Sequence, residues 1–205
     1  MKQLNIRVLK ADELKDGANL LGRAMSDNPN NVQAFGLATA HRERALVRMF
    51  LHLLQRICAK GNVFGAFDSV EMVGVCATTG PGQCQLQGIE KLRIFPAIFW
   101  GNSISTPMRV LRWVAEWSRY DPKEPHWHLG PFAVDFGLQG RGIGSAMLVD
   151  FCARMDHCGM LSYLETDKSE NVRFYEKFGF TVIAEAEILG IPNWFMSRSP
   201  RITSS

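Results

Sequence analysis

The segment Gln139-Gly-Arg-Gly-Ile-Gly144 carries the most legible chemistry in the chain. Glycines let the backbone turn tightly and leave N–H groups uncovered by side chains. A strand-like run precedes the segment and a helix-like run follows it. The N–H groups therefore fall at a helix N-terminus, where the dipole also favours an anion. Arg141 adds a guanidinium suited to phosphate oxygens. A phosphate or pyrophosphate is the natural guest, although a tight turn with no ligand would use the same residues. Two known phosphate loops do not fit. A P-loop needs lysine after its last glycine, and Ser145 and Ala146 follow Gly144 here. A dinucleotide loop needs glycine where Ser145 stands, in a unit at the N-terminal end of a domain.

The elements that must position this loop follow from periodicity and breakers. Residues 4–9 alternate like a strand, and a helix begins at Ala11. Met25-Ser-Asp-Asn-Pro-Asn-Asn31 reads as a break. Residues 39–60 form a second helix, with Leu46, Met49, Phe50 and Leu53 on one stripe and Gly61 as its C-cap. Strands over 62–67 and 72–78 flank a hairpin turn at 68–71. Residues 83–125 hold aromatic residues and an amphipathic helix over 107–120, ended by Tyr120-Asp-Pro-Lys-Glu-Pro125. Beyond it come a strand (127–134), the glycine loop, a helix (142–156), a strand (160–165), a helix (169–178) and strands over 180–187 and 193–197. This order argues for one mixed α/β sheet with helices on its faces.

The bulk numbers exclude several classes. A length of 205 residues suits a single domain over 1–205, and 46% hydrophobic composition fills a sizeable core. The net charge of +3 is spread thinly, so no nucleic-acid partner is expected. No apolar run reaches the length of a membrane span, and no secretory h-region opens the chain. Cys58, Cys76, Cys84, Cys152 and Cys158 form no metal-like spacing, so the expectation is reduced thiols, no metal and a cytoplasmic protein.

Gln139-x-x-Gly142-x-Gly144 resembles the first signature of the GNAT (Gcn5-related) N-acetyltransferases. Leu164-Glu-Thr-x-x-x-x-Asn171-x-x-Phe174-Tyr175-x-x-x-Gly179-Phe180 resembles the second. Two such motifs in order, about 30 residues apart, are far more specific than either alone. Within the family, the Leu-Glu-Thr and Phe-Tyr-Glu-x-x-Gly-Phe-Thr-Val runs are most similar to the puromycin N-acetyltransferase branch. The resemblance is strong over about 126–198 and topological before that. It implies a GNAT fold of six to seven strands, with a helical insertion at 83–125 between the third and fourth.

The resemblance also implies roles. Acetyl-CoA would lie between two splayed parallel strands, with its pantetheine arm on the backbone of Phe132, Ala133 and Val134. Gly130-Pro131 fits a bulge in that strand. Backbone groups of Gln139, Gly140, Arg141, Gly142, Ile143, Gly144 and Ser145 would hold the pyrophosphate. Asn171 matches a cofactor contact, and Tyr175 matches the acid that protonates the departing thiolate; packing beside Phe174 and Phe178 is the plainer reading of Tyr175.

Two residues compete as the base. His128 stands eleven residues before Gln139, where a histone-acetylating branch places a glutamate. The puromycin branch has an aromatic there, so packing is its alternative. Glu165 ends a strand, where clefts in open sheets form. His126 reads as a surface residue, Asp27 as a group that could face a cationic amine, and Asp167-x-x-Glu170 as a capping box. The acceptor side would be built from the first two helices and the insertion, with Phe95, Phe99, Trp100, Trp113 and Trp117. The expected reaction moves an acetyl group to a primary amine of a small molecule in a ternary complex. Alternatives are a protein lysine or N-terminal acceptor, or a silent CoA-binding domain; the reading leaves room for a homodimer.

Overall fold

Apolar alternation in Asn5–Val8 (β1), Gly61–Asp68 (β2) and Glu71–Thr79 (β3) builds an antiparallel meander. In the computed structural model, which describes residues 4–36, 38–83, 98, 102–103 and 105–201, four more strands extend it. They are His126–Val134 (β4), Leu161–Thr166 (β5), Thr181–Ile188 (β6) and Ile191–Arg198 (β7). The seven-stranded order is β1-β2-β3-β4-β5-β7-β6. Among the described residues only β4 and β5 run parallel, and the other strand pairings are antiparallel.

Helices cover both faces. Leu14–Ala24 (α1), Pro29–Phe35 (α2), Thr39–Lys60 (α3) and Ser105–Trp117 (α4) precede β4. Ile143–Cys158 (α5) joins β4 to β5, and Ser169–Glu176 (α6) joins β5 to β6. Because strand side chains alternate, Val75 and Ala77 pack with Leu21, Leu46, Phe50 and Leu54 on the α1/α3 face. Cys76 faces the other way, with Met147, Leu148 and Phe151 of α5. Fully burying a residue such as Leu46 contributes about 1.5–3 kcal/mol.

The expected helix over 39–60 is present, and its stripe is buried at Leu46, Phe50, Leu54 and Ile57. The segment 25–31 departs from expectation. Pro29 at the first helical position starts α2, since its missing N–H is not needed there and its φ suits a helix. The capping box at Asp167 does not form. Lys168 is the N-cap, and Asp167 instead accepts the Asn30 backbone N–H (2.8 Å).

Candidate active site

The parallel register between β4 and β5 covers three positions, His126↔Leu161, Trp127↔Ser162 and His128↔Tyr163. Beyond them β4 stays with β3 to Val134, while β5 follows β7 to Thr166. The two strands therefore part after His128, and the β4 edge from Leu129 onward has no β5 partner in register. At that point Cys76 opposes Phe132 and Thr78 opposes Leu129. One extra residue is thus accommodated in β4 at Gly130-Pro131, the expected bulge.

Alternation along β4 sends Trp127 toward α5 and puts His126 and His128 on the opposite face. Both imidazoles meet the edge of the fully buried Tyr163 ring, at 5.5 and 5.4 Å. Glu165, two residues beyond Tyr163, shares that face. His128 Nε2 donates to Glu165 Oε2 at 2.8 Å. The two rival base candidates are therefore one hydrogen-bonded pair. Asp121, which the sequence showed only as part of a breaker, brings Oδ1 to 4.0 Å from His128 Nδ1. His126 is not a surface residue. It is 4% exposed and its Nδ1 donates to the Glu124 carbonyl (2.8 Å).

The glycine turn sits at the far end of β4. A short 3-10 turn, Phe136–Leu138, follows the strand, held by the Gly137 N–H donating to Asp135 Oδ1 (3.1 Å). Gln139 Nε2 donates to the Val134 carbonyl (3.3 Å). Gly140 and Gly142 have φ of +75° and +83°, a left-handed geometry that side chains resist. Gly142 is the N-cap of α5, and the Ala146 N–H closes the first turn onto its carbonyl (3.0 Å). The amides of Ile143, Gly144 and Ser145 therefore have no acceptor within the helix. The first turn holds no acidic side chain, and Arg141 is exposed beside it. This is an anion-binding geometry.

Where β4 and β5 part, a cavity of about 320 Å³ opens toward α3 and α4. His128, Phe132, Glu165, Asn171 and Tyr175 line it, as do Trp113 and Trp117. Asn171 Nδ2 donates to Thr166 Oγ1 (3.1 Å), tying α6 to the end of β5. Tyr175 is buried against Phe174 and Phe180. Burial pushes its phenol well above the ordinary range, reinforced by Cys76 and Asp167, so it stays protonated. Phe95, Phe99 and Trp100 lie outside the described residues. Asp27 is not among the residues that line this cavity; its carboxylate pairs with Lys168 Nζ (3.0 Å).

A model of the acetyltransferase (GNAT) family matches residues 62–180, more than half the chain, from β2 through the Tyr175 helix. The chain belongs to this family. Similar solved structures are also acetyltransferases. One is a histone acetyltransferase HPA2 and related acetyltransferase from Corynebacterium glutamicum, with TM-score 0.74, 21% identity, and 98% of this chain and 99% of that one covered. Another is arylalkylamine N-acetyltransferase 2 from Aedes aegypti, with TM-score 0.64, 10% identity and coverages of 97% and 100%. A third is the PaiA N-acetyltransferase from Thermoplasma acidophilum in complex with coenzyme A, with TM-score 0.60, 12% identity and coverages of 96% and 99%.

Acetyl-CoA is the cosubstrate of GNAT enzymes, and the residues present fit it. The positive-φ glycine turn suits a pyrophosphate, and the unpaired β4 edge suits the amides of an extended pantetheine arm. The apolar mouth at Phe132 suits the acyl end. No described helix is long and apolar enough to cross a membrane.

Proposed function

We propose that this chain transfers the acetyl group of acetyl-CoA directly to the primary amine of a small molecule. The observation that carries this reading is the His128–Glu165 pair, bonded at 2.8 Å where β4 and β5 part and facing the same cavity as Tyr175. Acetyl-CoA supplies the activated acyl group. The backbone of Phe132, Ala133 and Val134 aligns its arm, and the amides of residues 140–145 with Arg141 hold its phosphates. Asn171, tied to Thr166, fixes the rim of the site.

Three demands of amine acetylation then fall to named groups. Glu165 accepts the amine's proton through the oxygen that His128 does not engage, while the His128 Nε2–H steadies the other oxygen. A backbone N–H at Phe132 or Ala133 stabilises the developing negative oxygen. Tyr175, kept neutral by burial, delivers its proton to the departing sulfur. A cavity of about 320 Å³ lined by Trp113 and Trp117 is of a size to take a small acceptor.

Release of free thiol from acetyl-CoA, followed across a panel of small amines and lysine peptides, tests the reading. Intersecting double-reciprocal plots with a small amine support it. Tight acetyl-CoA binding without turnover of any amine would refute it.

A further inference from the structure

Asn193 is a buried amide in an apolar setting, and it is not among the residues that line the cavity. It shares its face of β7 with Phe195, because strand side chains alternate. Phe195, Ile188 and Tyr163 form an apolar cluster there, and Trp117 and Tyr120 pack on it. A leucine would suit such a place, whereas an amide is costly there unless it is hydrogen-bonded. What the amide adds is direction.

Asn193 Oδ1 accepts the Trp117 Nε1–H at 2.9 Å and an Asn30 Nδ2–H at 2.6 Å, and Asn193 Nδ2 donates to the Ile191 carbonyl (2.8 Å). Both acceptor positions of the amide oxygen are thus in use. The Asn30 and Ile191 bonds hold the amide plane, and Asn30 is itself anchored through its backbone N–H on Asp167 (2.8 Å). The remaining bond holds the indole of Trp117. Three residues on, Tyr120 stacks on Phe195 with ring centroids 4.1 Å apart. The end of α4 is therefore fastened to β7 at two points. Trp117 in turn meets Trp113 edge to face at 5.0 Å, and both rings line the cavity with Val110 and Val114 of the same helix. Without its Nε1 partner the indole would have other staggered rotamers open to it, each giving a different wall.

We propose that Asn193 is a positioning residue for the acceptor. Acting through Trp117 and without touching the substrate, it sets the wall against which the small amine lies. The proposal rests on the amine-acetylation reading above. The turn at 140–145 and the β4 edge, which suit acetyl-CoA, take no part in these bonds. The effect of losing them should fall on the amine and spare acetyl-CoA.

The test is steady-state kinetics of the full chain with each substrate varied in turn, 2-phenylethylamine being the first small amine of the panel. Asn193→Leu should lower kcat/KM for the amine by about 10–10²-fold, the scale of loss that a displaced positioning group causes. KM for acetyl-CoA should stay nearly unchanged. Asn193→Asp, which keeps an accepting oxygen, should recover most of the loss. In a Trp117→Phe background, which lacks the indole N–H, Asn193→Leu should bring little further loss. Trp117→Phe removes the same bond from the other side and should itself lower kcat/KM for the amine, so the test holds if Asn193→Leu folds poorly. Wild-type amine kinetics in Asn193→Leu or Trp117→Phe, or losses that multiply in full when the two are combined, would overturn the proposal and leave amine acetylation standing. No turnover of any amine by the wild type, with acetyl-CoA still bound, would overturn both.

Discussion

His128 Nε2 donates to Glu165 Oε2 at 2.8 Å across the last register position that β4 and β5 share. Removing either side chain leaves the other polar group partly buried without this partner. His128→Ala and Glu165→Gln should each lower kcat by about 10²–10⁴, the usual contribution of general acid–base catalysis. The double variant should be little worse than the worse single, because the pair acts as a unit. Steady-state kinetics of the three proteins checks this; losses that multiply in full would contradict it.

Tyr175→Phe keeps the ring that packs against Phe174 and Phe180 and removes only the hydroxyl. The expected outcome is a fall in kcat of about 10²-fold with acetyl-CoA affinity unchanged. Burial raises this phenol, so its proton is retained as pH rises through the ordinary tyrosine value. In the wild type, the rate should therefore show no loss near pH 10 that Tyr175→Phe abolishes. Such a loss in a pH–rate profile would argue against the assignment.

Gly142 and Gly144 separate conformation from ligand approach. A Cβ at Gly142 meets nothing within 4 Å, yet φ of +83° opposes it. Gly142→Ala should cost about 1–2 kcal/mol of stability. At Gly144 a Cβ would make ordinary contacts with Phe174 and Val134 at 3.5 Å, with no positive φ. Gly144→Ala should leave thermal stability nearly unchanged and raise KM for acetyl-CoA, as measured by melting curves and kinetics together.

Arg198, 3% exposed as a side chain, grips Asp156 through two hydrogen bonds of 2.8 and 2.7 Å. This guanidinium, helped by the Arg201 N–H, holds the Asp156 carboxyl below its ordinary value. A depressed acid stabilises the fold above its unfolded value and loses that contribution as pH falls through the folded one. Arg198→Met should cost about 1–3 kcal/mol at neutral pH, less than a fully buried pair because Asp156 is partly exposed. The gap should narrow as pH falls from about 4, where Asp156 of the unfolded chain begins to protonate, down through the lower value of the folded protein. Denaturant curves at pH 7 and pH 3 measure both halves.

Much of the fold was legible because its signals are local. The α3 stripe, the turn at 68–71 and the strand–glycine–helix order all declare themselves within a few residues. Gly179, after the helix that carries Tyr175, has φ of +90° and its N–H on the Glu176 carbonyl (3.0 Å), a local turn that glycine readily makes. What stayed hidden depends on distant segments. Asp167 looked like a cap, since only the fold brings Asn30 to it across 137 residues. Asp121 looked like punctuation between Tyr120 and Pro122, and only the turn into β4 points it at His128. The burial of His126 follows from Tyr163 beside it, a neighbour that parallel pairing supplies. His128 and Glu165 were visible singly; that they are partners is a fact of register.

The most direct test of direct acetyl transfer is mass spectrometry of both protein and amine after mixing with acetyl-CoA. The account predicts an acetylated amine, no acetyl group on the protein in the absence of amine, and slowed product formation in Glu165→Gln. An acetyl-protein that forms without amine and is discharged when amine is added would contradict it.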